Sequence, residues 1–100
     1  MKLGPRLNSG GEVLQRFHAR ERQLAAADYK RFSKKQTKRS PALWDAMLNT
    51  RDYLDKLEDV VLEQAQIVLD RRGSISCREF RSIVRRIHRA MIRDLVGQQN

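Results

Sequence analysis

The chain has 100 residues, 40% of them hydrophobic, 33% charged and 6% aromatic, with a single cysteine, Cys77, and a formal net charge of +9. That length is one domain, and so small a domain struggles to bury an adequate core alone, so dimerisation is an expected remedy. One thiol excludes an internal disulfide, no apolar run approaches the roughly 20 residues that span a membrane, and the start MKLGPRLNSGG lacks a secretory apolar stretch, so a protein of the cytoplasm or nucleus is expected.

Residues 1–9 read as a flexible arm. Ser9 followed three residues later by Glu12 forms a capping box, and a first helix is expected over residues 10–32. Val13, Leu14, Phe17 and Leu24 follow helical spacing on one side of it. Arg20, Glu21 and Asp28 interrupt that stripe, so the helix is expected to pack partially or to depend on a partner.

Residues 33–39 read as a basic linker. Lys30, Arg31, Lys34, Lys35, Lys38 and Arg39 hold six cations close together around it, which suits phosphate contact or a nuclear-targeting signal better than a bland solvated linker.

The central helix is expected over residues 41–71, with both ends marked. Ser40 is placed to cap it and Pro41 has the fixed φ that suits a first helical position. Arg71 and Arg72 favour the negative pole of the helix dipole, and Gly73 suits a left-handed cap. Leu43, Met47, Thr50, Leu54, Leu57, Val61, Ala65 and Val68 form a core stripe along one line. Trp44, Leu48, Leu62 and Leu69 flank that stripe, and Trp44 reads as a core or subunit contact. On the other side Tyr53, Val60 and Ile67 form a second line seven residues apart, the expected dimer interface or the docking strip for a partner helix. The narrow wet face carries Asp45, Asp52, Asp55, Asp59, Glu63 and Asp70.

A third helix is expected over residues 77–96. Ser76 and Glu79 make a second capping box, with Ile75 and Phe80 as its hydrophobic staple. Phe80, Ile83, Val84, Ile87, Met91 and Leu95 lie on one face, and Arg78, Arg81, Arg85, Arg86, Arg89 and Arg93 form an arc on the opposite side. The spacing predicts an all-α fold of three helices, in which the long central helix and the C-terminal helix form an antiparallel hairpin through the Gly73 turn, completed by dimerisation.

Charge divides the chain into three. Residues 1–40 carry a net +8, residues 41–70 a net −5 and residues 71–100 a net +6. Basic segments at both ends point to a polyanion. Arginine presents a planar fork of donors suited to phosphate oxygens, so the arc on the third helix is the foremost candidate for following a phosphate backbone without reading bases. Two competing readings are a plainly solvated face and pairing with the acidic face of the central helix, either in the same chain, where that face lies awkwardly, or in a second subunit, where the pairing is open.

Nothing points to catalysis. His18 and His88 are far apart with no ligand spacing around them and read as surface residues, so no metal or other cofactor is expected. Cys77 lacks a base or a second thiol. Arg71-Arg72-Gly73-Ser74-Ile75 matches the pattern of basophilic kinase substrates, a short pattern that arginine-rich chains produce often. The expected function is non-catalytic binding of nucleic acid, duplex RNA or DNA, with little sequence preference, as in small viral or phage proteins that coat or sequester duplex. The alternative is a protein-interaction adaptor whose central helix docks a partner while its basic face meets an acidic protein. Attachment to a membrane surface is disfavoured, because the third helix lacks aromatic residues at its polar boundary.

Overall fold

The computed structural model describes residues 6–36 and 50–97, with side chains described for residues 6–31 and 50–94. Among the described residues the fold is all-α, with three helices and one very short strand pair. Helix α1 covers residues 10–36 in three consecutive stretches: α-helical Gly10–Arg16, a π-helical turn Phe17–Glu21, and α-helical Arg22–Gln36. Helix α2 is Thr50–Arg72 and helix α3 is Cys77–Gly97. Strand β1, Arg6–Leu7, pairs antiparallel with strand β2, Ile75–Ser76, in the register Arg6 to Ser76 and Leu7 to Ile75.

The helix starts follow from local chemistry. The Ser9 hydroxyl accepts from the Glu12 N–H at 3.2 Å, and the Ser76 hydroxyl accepts from the Glu79 N–H at 3.0 Å. Each bond satisfies one of the donors that a first helical turn leaves orphaned. Ile75 and Phe80, the staple around the second cap, are both fully buried. Helix α2 ends at Gly73, whose φ of 79° only glycine adopts without steric cost, and the Gly73 N–H closes on the Leu69 carbonyl at 2.7 Å.

The turn sends α3 back along α2. Arg72 meets Glu79 beside the turn and Tyr53 meets His88 further along, so the hairpin is antiparallel. Leu54, Leu57, Val61 and Ala65 of the expected stripe are buried, and Val68 is half-buried. Phe80, Ile83 and Val84 of α3 are buried and Ile87 and Met91 half-buried, but His88 and Ile92 complete the inward face. His88 is therefore a core residue rather than the surface residue expected. It lies four positions after Val84, one turn along the same buried line.

Helix α1 completes the bundle, antiparallel to α2: Arg22 meets Asp55 near its middle and Tyr29 meets Tyr53 further on. From Val13 to Tyr29 it packs one continuous line into the core, contrary to the partial packing expected of an interrupted stripe. Val13, Phe17, Glu21, Ala25 and Tyr29 are all buried, at strict four-residue steps. In a regular α-helix of about 3.6 residues per turn, four-residue steps drift by about 40° each and would carry Tyr29 round to solvent. The π-helical turn, closed by the Arg22 N–H on the Phe17 carbonyl, takes up that drift. Regular periodicity puts Leu24 inside, and the added residue puts Ala25 and Tyr29 there instead, leaving Leu14 and Leu24 exposed.

Two boundaries shift, and one side chain changes sides. The arm expected over residues 1–9 is held at Arg6–Leu7, where Leu7 is buried and Arg6 Nε donates to the Ser74 hydroxyl at 2.9 Å. The helix expected to stop at residue 32 continues to Gln36, because Ser33-Lys34-Lys35-Gln36 contains neither Gly nor Pro to end it. Lys34 and Lys35 thus sit on helix backbone rather than in a linker. Tyr53, expected on a dimer strip with Val60 and Ile67, is inside the bundle. The expected Ser40–Pro41 start of the central helix lies outside the described residues, as do Leu43, Trp44, Met47 and Leu48.

Because Leu7 closes one end of the core against Ile75, replacing it should be felt. Leu7→Ala is expected to lower the free energy of urea unfolding by about 2 kcal/mol, the low end for a truncated core leucine. A value near zero would mean that β1 does not hold in solution.

Candidate functional site

The arginine arc of α3 stands opposite its buried face. Arg78, Arg85, Arg86, Arg89 and Arg93 are exposed, and Arg81 is half-buried at the border nearest α1. Placement follows from spacing: Phe80, Val84, His88 and Ile92 advance by four residues along the core, and the arginines take the phases in between. From Arg78 to Arg93 the arc runs about 22 Å at a rise of about 1.5 Å per residue.

Of the other candidate cations, Arg31 is brought to this surface and lines a cleft between α1 and α3 together with Arg81 and Arg85. Lys30 is exposed on α1. For Lys34 and Lys35 only the backbone falls within the described residues, and Lys38 and Arg39 lie outside them.

Two acids of α2, Asp55 and Glu58, are met by α1, not by the α3 arc. Arg22 pairs with Asp55 at 2.9 Å and reaches Glu58 at 3.5 Å, and His18 also bonds Glu58. Arg72 grips Glu79 with both terminal nitrogens, at 3.3 and 2.7 Å. Arg81 approaches Glu21 at 4.0 Å. Among the described residues, Arg78, Arg85, Arg86, Arg89 and Arg93 take part in no ion pair. So the acidic face is partly neutralised within the chain while the arginine arc keeps its charge. No ion-pair bond holds these side chains in place, and an exposed cation of this kind is free to reach an external anion.

Two buried polar groups at this site were not legible in the stripe pattern. The carboxylate of Glu21, 2% exposed, lies between Arg16 at 3.9 Å and Arg81 at 4.0 Å. Two flanking guanidinium groups are what make such a buried carboxylate tolerable. Its place four residues after Phe17 was the available signal. The second group is His88, whose Nδ1 lies 2.7 Å from the Tyr53 hydroxyl, which is also 3.3 Å from the His88 carbonyl oxygen. Burial, with the neighbouring Tyr29 adding to it, pushes the Tyr53 hydroxyl well above its ordinary value, so it stays protonated and donates.

Cys77 is half-buried at the first position of α3, and Val60 and Ile67 are 38% and 43% exposed on α2. No group of three or more His, Cys, Asp or Glu among the described residues is placed to hold a metal ion, and none of the described helices is long and apolar enough to cross a membrane.

Burial holds the His88 imidazole below its ordinary value of 6.5, with Asp28 opposing that shift and Arg89 adding to it. The unfolded chain therefore binds a proton here before the folded chain does. The contribution of this group to stability is complete above pH 6.5 and is lost as the pH falls below that value towards the folded pKa. Urea midpoints measured from about pH 7.5 down to 5.5 are expected to fall, and His88→Gln is expected to flatten that part of the curve. Identical pH profiles for the two proteins would exclude His88 as the source. Compared with known proteins, the chain matches no protein-family model, no curated protein and no solved structure.

Proposed function

We propose that the protein is a non-catalytic nucleic-acid-binding protein that grips the phosphate backbone of a duplex through the arginine face of α3, with little sequence preference. The observation that carries this reading is the run of exposed arginines left without an acidic partner among the described residues, beside a helix, α1, that uses its own cations on Asp55 and Glu58 of α2. An uncompensated basic ridge about 22 Å long contacts several phosphates on one side of a duplex, and it needs no base contact to do so. The ridge extends onto α1 through Arg31. On this reading the protein works inside the cell, binds RNA or DNA duplex without a cofactor, and presents two ridges when paired with a second copy.

Val60 and Ile67 favour the pairing. They are large apolar side chains left exposed on the central helix, and they are what remains of the strip once Tyr53 is taken into the core. The same two residues support the rival reading, an adaptor that docks a helix of another protein there and an acidic surface on the arginine face.

The test is binding to short duplex RNA, duplex DNA and single strands across a salt series, alongside the mass in solution. Tight binding to a duplex is expected, with log K falling against log salt by about 0.9 for each phosphate neutralised on B-DNA. Arg85→Glu with Arg89→Glu is expected to abolish that binding while leaving the helical circular dichroism unchanged. Full affinity in the double variant would remove the ridge from the mechanism. Val60→Asn with Ile67→Asn is expected to halve the mass in solution, and an unchanged mass would rule out this strip as the subunit contact.

A further inference from the structure

Asp52, Asp59, Glu63 and Asp70 are exposed on α2, and among the described residues none of them enters an ion pair. At about 100° per residue they fall within about 40° of one another, one line along the back of the helix. Val60 and Ile67, 38% and 43% exposed, border that line. They stand about 120° or more round α2 from Asp55 and Glu58, the acids that meet α1, and so on the side turned away from it.

Helix α3 repeats the arrangement with the opposite sign. Arg86 and Arg93 are exposed, lie about 20° apart and enter no ion pair among the described residues. Beside them are exposed Ala90 and half-buried Ile87, about 120° or more round α3 from Arg81 and Arg85, which border the cleft with α1. The outer face of the hairpin is therefore apolar along its middle, acidic at the α2 edge and basic at the α3 edge. Lys56 and Asp94 carry the sign opposite to their neighbours, one on each helix, and Glu79 is held by Arg72.

Such a face complements itself. A two-fold axis parallel to the helices lays α3 of a second copy antiparallel on α2 of the first, and α2 of the second on α3 of the first, so the acidic edge of each meets the basic edge of the other. A two-fold axis across the helices would instead set acid on acid and arginine on arginine. The parallel axis also leaves every residue at its own level, and there the register agrees. Asp52 and Asp59 are seven residues apart, as are Arg86 and Arg93, a rise of about 10.5 Å on either helix. Taken between the contacts of Tyr53 with His88 and of Arg72 with Glu79, Asp59 lies level with Arg86 and Asp52 with Arg93 to within about one turn, a gap that arginine side chains span.

We propose that the outer face of the α2–α3 hairpin binds a second copy of this chain, with Val60 and Ile67 at the centre and, at each edge, Asp59 and Asp52 of one protomer paired with Arg86 and Arg93 of its partner. The inference rests on the reading of Val60 and Ile67 as the subunit contact, and it adds what selects the partner and fixes its direction. It also divides the arginine arc. Arg86 and Arg93 serve the pairing, and Arg78, Arg81, Arg85 and Arg89 remain for phosphate.

The test is the mass in solution, free of nucleic acid, of the unchanged full chain and of Asp59→Arg and Arg86→Asp, each alone and the two mixed. The unchanged chain is expected to be a dimer. Each variant alone sets like charges together at both edges and is expected to dimerise about a hundredfold more weakly, with its helical circular dichroism unchanged. The equimolar mixture is expected to recover the dimer, because either variant supplies the sign that the other lacks. Asp52→Arg and Arg93→Asp repeat the test at the second pair should either first variant fail to fold. A monomeric unchanged chain, variants that keep its full self-affinity, or a mixture that stays monomeric would overturn the pairing. Duplex titration is read separately: a chain that cross-pairs as expected but binds no duplex loses the ridge reading and keeps the pairing, and one that binds duplex without cross-pairing loses the pairing and keeps the ridge.

Discussion

Tyr53 of α2 stands where the three helices meet, stacked on a ring of α1 and edge-on to a ring of α3. Its ring stacks on Tyr29 of α1 at a centroid distance of 4.4 Å and an interplanar angle of 17°, and it meets the His88 ring of α3 edge-on at 5.8 Å. Its hydroxyl, buried with the ring, has Nδ1 and the carbonyl oxygen of His88 within reach. A ring this large contributes much of its stabilisation by leaving water, and the hydroxyl avoids the cost of burial only while His88 stays in place. Position along all three helices is therefore coupled at one point. If α3 slid by a residue, the hydroxyl would lose its acceptor, and if α1 lost its π-helical turn, Tyr29 would rotate off the stack.

That coupling explains which parts of the architecture were legible in the residues. Ser9, Ser76 and Gly73 act through bonds to atoms within four positions of themselves, so their roles follow from short spacing alone. The α2–α3 hairpin follows from them, because a clear stop, a four-residue connection and a clear start leave few geometries. The π-helical turn is different. Nothing in Phe17-His18-Ala19-Arg20-Glu21 marks it, and it arises because Phe17, Ala25 and Tyr29 must all reach one surface. Tertiary packing decided the local winding there, and a fixed period misplaces Leu24 by one residue. Tyr53 and His88 were misread for a related reason: each carries a polar atom, and the partner that makes its burial tolerable lies 35 residues away. The two-residue strands escape any pattern method because a period needs length to be seen.

Electrostatics were legible as totals and only partly as pairings. The alternation of basic, acidic and basic segments is plain in the sequence, and it raises the prospect that the acids of the central helix cancel the arginines of the last. Within the chain, the bundle places α1 alongside two of those acids. Arg22 and His18 occupy Asp55 and Glu58, and α3 turns its arginines the other way because its apolar residues are spoken for by the core. The candidate surface is thus a by-product of how the interior is satisfied.

The β1–β2 pair has a bearing on how the molecule assembles. The bond from Arg6 to Ser74 links positions 68 residues apart, so forming it early would close more than two thirds of the 100-residue chain into a loop for the gain of two residue pairs. Entropy opposes that order of events. Once α1 has docked, Leu7 trails only a few residues behind Val13, and the remaining loop is short. The clasp is accordingly the last piece to close and the first to come undone. It ties the N-terminal strand to the α2–α3 turn through two residue pairs and the Arg6–Ser74 bond, contacts separate from those that hold the three helices to one another.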